Sequence, residues 1–347
     1  MKALFILKRR TNYGEVSYPA GFTSGLYNSA KFVSDMLSHM GVASEVVEVV
    51  DNNSIDAEVS RYKPTHVFIE ALWVVPSKFE ILQKLHPKVK WVIRIHSDVP
   101  FLANEGVAID WLKGYAALPN VRIAPNSKLC MDDLLVFIPA HKLVYLPNYY
   151  QFEPHSACRK PTMVDTVRVG CFGAIRPLKN QLIQAIAAIR FADAIGKKLE
   201  FHINSSRVEQ KGCSVLKNLR SLFGADSKHV LVEHTWLPRE EFLPVIGSMD
   251  INMQVSFTET FNIVAADSIN EFVPVIVSDS IGFIGRTWYA RPTDGENITE
   301  RLLAVWRSDR KRIAEVNWLS LQKANLTSAR IWLEYMISST MFFGGGT

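Results

Sequence analysis

Asp250-Ile-Asn-Met-Gln-Val-Ser-Phe-Thr-Glu-Thr-Phe-Asn-Ile-Val-Ala-Ala-Asp-Ser-Ile-Asn-Glu-Phe-Val-Pro-Val-Ile-Val-Ser278 decides the fold of this 347-residue chain. Ile251 to Val255 is a short apolar run with the length of a buried strand. Ser256 to Thr260 is a polar loop. From Phe261 the apolar spacing becomes helical through Ile263, Ala266 and Ile269, and Pro274 to Val277 is a second buried strand. Strand, polar loop, helix and strand make one βαβ unit. In open α/β sheets the ligand sits outside the carboxyl ends of the strands, which is where the loop with Glu259 falls. Asp267 lies eight residues on, in the second turn of the expected helix.

The same rhythm extends in both directions. Before the unit we expect strands at 166–172, 199–204 and 230–233, with helices at 180–196, 210–223 and 239–248. The first half reads as strands 3–7, 42–50, 67–75, 91–95, 121–124 and 143–146. Its helices fall at 25–40, 77–86, 103–116 and 127–138. Gly41 ends the first of them, the usual place of a glycine beyond the last periodic residue. A helix near 297–307 and two more, roughly 309–322 and 325–340, close the chain. Strands alternating with helices predict parallel, doubly wound sheets. Residues 147–166 lack periodicity and read as a linker. The expected organisation is therefore an N-terminal Rossmann-like domain over 1–150, a linker at 151–165, a second Rossmann-like domain over 166–324, and a crossover helix and tail over 325–347. Ligands would bind in a cleft where the two domains face each other.

Bulk properties agree with a two-domain α/β protein. Apolar residues make up 48% and charged residues 21%, and no apolar run reaches the roughly 18 residues of a membrane span. The N-terminal apolar stretch is too short for a signal-peptide core. Cys130, Cys158, Cys171 and Cys213 show no metal spacing, which favours reduced thiols and a cytoplasmic location. The net charge of +5 is spread over both halves without a long basic tract. That pattern argues against a dedicated nucleic-acid arm.

The loop Phe172-Gly-Ala-Ile-Arg-Pro-Leu-Lys-Asn180 opens a helix and places Arg176 and Lys179 where free backbone N–H groups favour an anion such as a diphosphate. An ordinary turn with two solvated cations is the alternative. The spacing is neither GxGxxG nor GxxxxGKS. Gly25, at the start of the first helix, allows close backbone approach. His96 and Asp98 end a strand, as do Lys8, Arg9 and Arg10.

Residues 256–278 resemble the signature of retaining glycosyltransferases of the GT-B architecture, the large family 4 type. That family reads Ser-x-x-Glu-Gly-Phe-Gly, a second Glu eight residues after the first, then Pro-Val-Val-x-Ser. The matching positions are Ser256, Glu259, Phe261, Asn262, Asp267, Pro274, Val275 and Ser278. Gly173 with Lys179 is similar to the family's Gly-Arg-Leu…Lys-Gly loop, Ser24-Gly25 to its Gly-Gly, and Leu146-Pro-Asn148 to its Pro-Asn.

The resemblance implies a donor site for a nucleoside-diphosphate sugar, with UDP the favoured nucleotide and neither metal nor cofactor. Glu259 would contact the donor sugar, and Asp267 the ribose. Backbone at Thr260, Phe261, Asn262 and Ile263 would cover the diphosphate beside Gly173, and Lys179 would neutralise the leaving group. His96 would lie near the reacting sugar. Lys8, Arg9, Arg10 and Asp98 are acceptor-side candidates. The implied acceptor is a saccharide or glycolipid. A hydroxylated base in DNA, and a non-catalytic sugar-nucleotide-binding or glycan-binding protein, stay open as alternatives. The chain departs from the family at Ala174, Thr260, Asn262 and Asp267; Arg176 is the candidate to stand in for the arginine that Ala174 replaces.

Overall fold

A computed structural model of the chain describes residues 1–9, 12–13, 16–17, 24–154, 164–224 and 228–341. Arg10, Cys158 and most of the expected linker's second half lie outside the described residues. The chain forms two compact units. The first is built from the stretches 1–10, 24–151 and 324–347, the second from 11–23 and 152–323.

In chain order the first half contains β1 (Lys2–Lys8), a ribbon of β2 (Asn12–Tyr13) and β3 (Val16–Ser17), α1 (Gly25–His39), β4 (Ala43–Val49), α2 (Ile55–Tyr62) and β5 (His66–Glu70). It continues with α3 (Pro76–Leu85), β6 (Lys90–Ile95), α4 (Val99–Leu102), α5 (Ala108–Ala117), β7 (Val121–Pro125) and α6 (Lys128–Leu134). Its five-stranded sheet has the order β4-β1-β5-β6-β7, every pair parallel. Phe5 stands opposite Val46 on one side and Phe68 on the other. Helices cover both faces, so Ala3 to Leu7 and all of β5 are buried, which is why these strands read as unbroken apolar runs.

The second half runs β8 (Thr166–Gly170), α7 (Gln181–Ala194), β9 (Lys198–Asn204), α8 (Gly212–Leu222), β10 (Val230–His234), α9 (Arg239–Gly247) and β11 (Ile251–Gln254). It ends with α10 (Ile263–Asn270), β12 (Val275–Val277), α11 (Gly295–Arg307) and α12 (Arg310–Met341). The sheet order is β10-β9-β8-β11-β12, again wholly parallel. Two doubly wound parallel sheets are the architecture the alternation of strands and helices predicts.

Several details differ from the sequence reading. The helix expected at 103–116 starts only at Ala108, as α5, with the short α4 before it, and the one expected at 127–138 ends at Leu134. The strand expected at 67–75 stops at Glu70, because Ala71 takes φ +70° and turns the chain. Residues 143–146 lie against β7 through the N–H groups of Val144 and Leu146 (3.0 and 3.1 Å) but form only an isolated bridge. α2 escaped notice because only Ile55 and Val59 of its eight residues are buried. The two closing helices are one: α12 runs unbroken for 32 residues, through Lys323 in the second unit and from Ala324 in the first.

The first-unit part of α12 lays Trp332, Tyr335 and Met336 on Phe5 and Phe68, and Trp332 donates its indole N–H to Pro147 O at 2.7 Å. His66 is wedged beneath it, with Nε2 2.7 Å from Ser339 Oγ and Nδ1 2.9 Å from Thr65 Oγ1. Burial, helped by Lys90 and the N-terminal ammonium, lowers its pKa from 6.5 to about 4. A histidine buried neutral stabilises above its unfolded pKa, because below that value only the unfolded chain takes up the proton. The first unit should therefore lose up to about 3 kcal/mol as pH falls from 6.5 towards 4. Urea midpoints measured across this window should fall for the wild type and fall clearly less in His66→Gln; an equal fall in both would assign the acid sensitivity elsewhere.

Candidate functional site

In the second unit, the loops after β8 and β11 meet at the carboxyl end of the sheet. β11 ends in Gln254, whose amide donates to Phe172 O at 3.0 Å, and Val255 N–H donates to Gln184 Oε1 at 2.8 Å. Asn180, in left-handed conformation between a 3-10 turn at Pro177–Lys179 and α7, donates to Val255 O at 3.0 Å and Pro292 O at 2.7 Å. Phe257 N–H donates to Leu178 O at 3.0 Å. These bonds hold the two loops edge to edge and fix the side chains they carry.

Lys179 and Glu259 form an ion pair across that seam, with side chains 14% and 9% exposed. Glu259 Oε1 also accepts from Ser256 Oγ at 3.1 Å and from Asn262 Nδ2 at 3.2 Å. Burial lowers the Lys179 pKa, and the neighbouring Arg176 adds to this, while Glu259 opposes it. Asn262 carries three duties. It is the N-cap of α10, accepting from Ala265 N–H at 2.9 Å, and its amide reaches both Glu259 and Gln254 Oε1 (2.9 Å). Asn262 is thus the residue that ties the acid to the helix start. Ile263 begins α10, where the first-turn N–H groups lack intrahelical acceptors and the helix dipole favours an anion.

Thr260 and Phe261 are half-buried, the latter against Phe283 with ring centroids 4.8 Å apart. Gly173 takes φ +110° and donates its N–H to Asn204 Oδ1 at 2.9 Å, a conformation that favours glycine. Arg176 stands 3.5 Å from Glu209, which also pairs with Arg207 at 2.7 Å. Its charge is therefore partly compensated. Asp267 is 2% exposed and accepts from Arg239 Nη1 at 2.6 Å, while Arg239 Nε donates to Glu153 Oε1 at 2.6 Å. The structure thus gathers Lys179, Glu259, Asn262 and the α10 start into one group and gives Asp267 a guanidinium partner.

In the first unit one of the sequence candidates, His96, belongs to a buried network. Glu70, at the end of β5, accepts from Arg94 Nη1 at 3.0 and 3.1 Å, and both side chains are fully buried. His96 Nε2 lies 2.5 Å from Glu70 Oε2. Arg94 also donates to Asn148 Oδ1 at 2.9 Å and stacks over Trp332 at 5.0 Å. Asn148 in turn donates to Ser29 Oγ on α1 at 3.2 Å. Burial lowers the His96 pKa and Arg94 adds to this, with Glu70 opposing, so the imidazole is neutral at neutral pH. Burial alone would raise the Glu70 pKa; Arg94 and His96 outweigh it and hold the carboxyl below the usual range.

Asp98 is 2% exposed and accepts from Ser127 Oγ at 2.5 Å, a tie that fixes the start of α6. Gly25 is the first residue of α1, whose cap Ser24 accepts from Tyr27 N–H at 3.2 Å. Lys8 and Arg9 are exposed at the end of β1, and Arg9 N–H donates to Val49 O at 2.7 Å. Among the described residues no group of three or more His, Cys, Asp or Glu side chains is placed to hold a metal ion, and no helix is long and apolar enough to cross a membrane.

Sequence reasoning missed Glu70, Arg94, Gln254, Glu209, Arg239 and Glu153. For Glu70 and Arg94 a signal was present: a charge inside a buried parallel strand requires a partner on a neighbouring strand. Arg239, in a polar helix start, offered none.

Two five-stranded parallel sheets flanked by helices, with loops at their carboxyl ends carrying the candidate residues, define the GT-B fold. Solved structures share it over nearly the whole chain. A sucrose-phosphate synthase from Thermosynechococcus elongatus has a TM-score of 0.72 at 12% identity, covering 98% of this chain and 99% of that one. A UDP-forming α,α-trehalose-phosphate synthase from Burkholderia vietnamiensis has a TM-score of 0.71 at 12% identity, covering 100% and 99%. Staphylococcus aureus TarM, solved in a complex containing UDP, has a TM-score of 0.60 at 11% identity, covering 78% and 54%. No protein-family model and no curated protein sequence matches the chain.

Proposed function

We propose that the chain is a retaining glycosyltransferase of the family 4 type that takes a nucleoside-diphosphate sugar, with UDP the favoured nucleotide. The observation that carries this reading is the Lys179–Glu259 pair beside the capped start of α10. A fixed cation, a carboxylate and helix N–H groups stand together on loops that resemble a nucleotide-sugar signature. The diphosphate lies against the N–H groups near Asn262 and Ile263 and beside Gly173, and Lys179 exchanges part of its bond to Glu259 for the β-phosphate. Glu259, freed in the same measure, accepts from the donor sugar's hydroxyls. The ribose falls at Asp267.

The bond between the anomeric carbon and the β-phosphate oxygen breaks, and its electron pair leaves with the nucleoside diphosphate. The acceptor oxygen bonds to the same face of the sugar, and its proton passes to the departing phosphate oxygen. Negative charge grows on that phosphate in the transition state, where a preplaced cation contributes most. Arg176 adds a second, partly compensated positive charge. In this reading the first unit serves the acceptor, a saccharide or glycolipid hydroxyl, with His96 and the exposed Lys8 and Arg9 as its contacts. A cytoplasmic location accords with the scattered thiols.

A thermal-shift screen against UDP-, GDP-, ADP- and dTDP-sugars tests the donor, because a ligand bound only by the folded state raises its stability by mass action. One nucleotide series should raise the transition well above the others. Glu259→Gln should keep that shift and lose sugar transfer; full transfer in this variant with every donor would refute the site assignment. The anomeric configuration of the product, read by NMR, should match the donor's, and inversion would overturn the retaining mechanism.

A further inference from the structure

Asp267 is too deeply set to meet a ligand alone. It is 2% exposed, and its Oδ1 is taken up by Arg239 at 2.6 Å. Arg239 is the first residue of α9, itself 13% exposed, and it bridges Asp267 to Glu153, whose side chain is 32% exposed. Glu153 is held by a second bond, its N–H donating to Asn270 Oδ1 at 3.0 Å one turn along the helix that carries Asp267. The group therefore runs from a buried carboxylate through a guanidinium to a more exposed carboxylate. α9 follows β10 and α10 follows β11, so both start at the carboxyl end of the sheet.

We propose that Arg239 is a positioning and specificity residue for the ribose of the nucleotide, holding Asp267 and Glu153 so that a cis-diol meets donor and acceptor groups together. This rests on the reading of Asp267 as the ribose contact and deepens it. Each hydroxyl of a diol donates one hydrogen bond and accepts others, whereas a carboxylate only accepts. Beside a guanidinium it becomes a surface that does both. Arginine suits the task because its planar fork presents Nε and Nη1 in fixed directions, one to each acid; the ammonium of a lysine is a point charge that lacks this geometry. Asp267 is also one methylene shorter than the glutamate of the signature it resembles.

Isothermal titration of the full chain with UDP, GDP and ADP, each against its 2′,3′-dideoxy counterpart, tests this. The wild type should prefer the ribose form of its nucleotide about 10- to 100-fold, since each of two hydrogen bonds to the hydroxyls is worth roughly three- to tenfold net. In Arg239→Ala and Arg239→Lys the ratio should collapse towards one, mostly through weaker binding of the ribose form, with dideoxy affinity nearly unchanged. A stitch that merely holds the fold would weaken both nucleotides equally and leave the ratio unchanged, and that result overturns the proposal. Where Arg239→Ala does not fold, Arg239→Lys carries the measurement. Asp267→Asn separates the two layers. A ratio lost in Asp267→Asn but kept in the Arg239 variants sinks this inference alone. A ratio kept in Asp267→Asn, or absent from the wild type, sinks the ribose reading and the inference with it.

Discussion

Lys179→Ala is expected to lower kcat for the proposed sugar transfer by about 10²- to 10³-fold, the cost typical of removing one preplaced group from developing negative charge. Lys179 stands at the end of a short 3-10 turn whose position is fixed by backbone and amide bonds to the β11 loop, so its ammonium is held in place before any ligand arrives. Its side chain is 14% exposed and its partner Glu259 is 9% exposed, which keeps water from screening the charge. The expected pattern is specific. Affinity for the nucleoside should be unchanged, affinity for the nucleoside diphosphate should fall, and kcat should fall further still, because the charge on the leaving phosphate is greatest in the transition state. Lys179→Ala also leaves Glu259 with only Ser256 and Asn262 as partners, so melting temperatures should accompany the kinetics. A kcat within threefold of wild type in a folded Lys179→Ala protein would remove Lys179 from the mechanism.

The contrast between Glu259 and Arg239 shows what the sequence reveals and what it hides. Glu259 was legible because its neighbours in sequence are also its neighbours in space: a buried strand, a polar loop and a capped helix lie within 20 residues, and local patterning reports all three. The same holds for the sheets, whose continuous apolar runs follow from burial on both faces. Lys179 was legible by position, at a helix start after a strand, but its bond to Glu259 spans 80 residues and leaves no local trace. Arg239 reaches 28 residues forward to Asp267 and 86 back to Glu153. Those separations are set by sheet order, β10-β9-β8-β11-β12, which periodicity cannot supply. The division of α12 into two helices failed for a different reason. Ile313 packs into the core of the second unit, whereas Ala329, Trp332 and Met336 pack into that of the first, so the apolar pattern shifts while the backbone continues.

Glu70→Ala should destabilise the first unit by about 3–5 kcal/mol, because it strands a buried guanidinium. Arg94 is fully buried between Glu70, Asn148 and the Trp332 ring, and no solvent can replace the carboxylate it loses. Glu70→Gln should cost less, since the amide oxygen still accepts from Arg94, although its NH2 group cannot accept from His96. The paired change Glu70→Leu with Arg94→Met should cost clearly less than the two single changes added together, because it removes both charges at once. Acid should act on the same network. The Glu70 pKa lies below its ordinary value in the folded unit, so its contribution is present above the unfolded carboxyl pKa and is lost as pH falls through the folded one. The His96 pKa is lowered as well, and that contribution erodes as pH drops below 6.5. Hydrogen exchange in peptides covering β5 and β6, followed with urea at pH 7 and pH 5, separates this unit from the other. Protection should fall by the stated amount in Glu70→Ala and recover in the paired variant. If the paired variant were as unstable as the sum of its singles, the two charges would act independently, and the ion pair would not be what holds His96 in place.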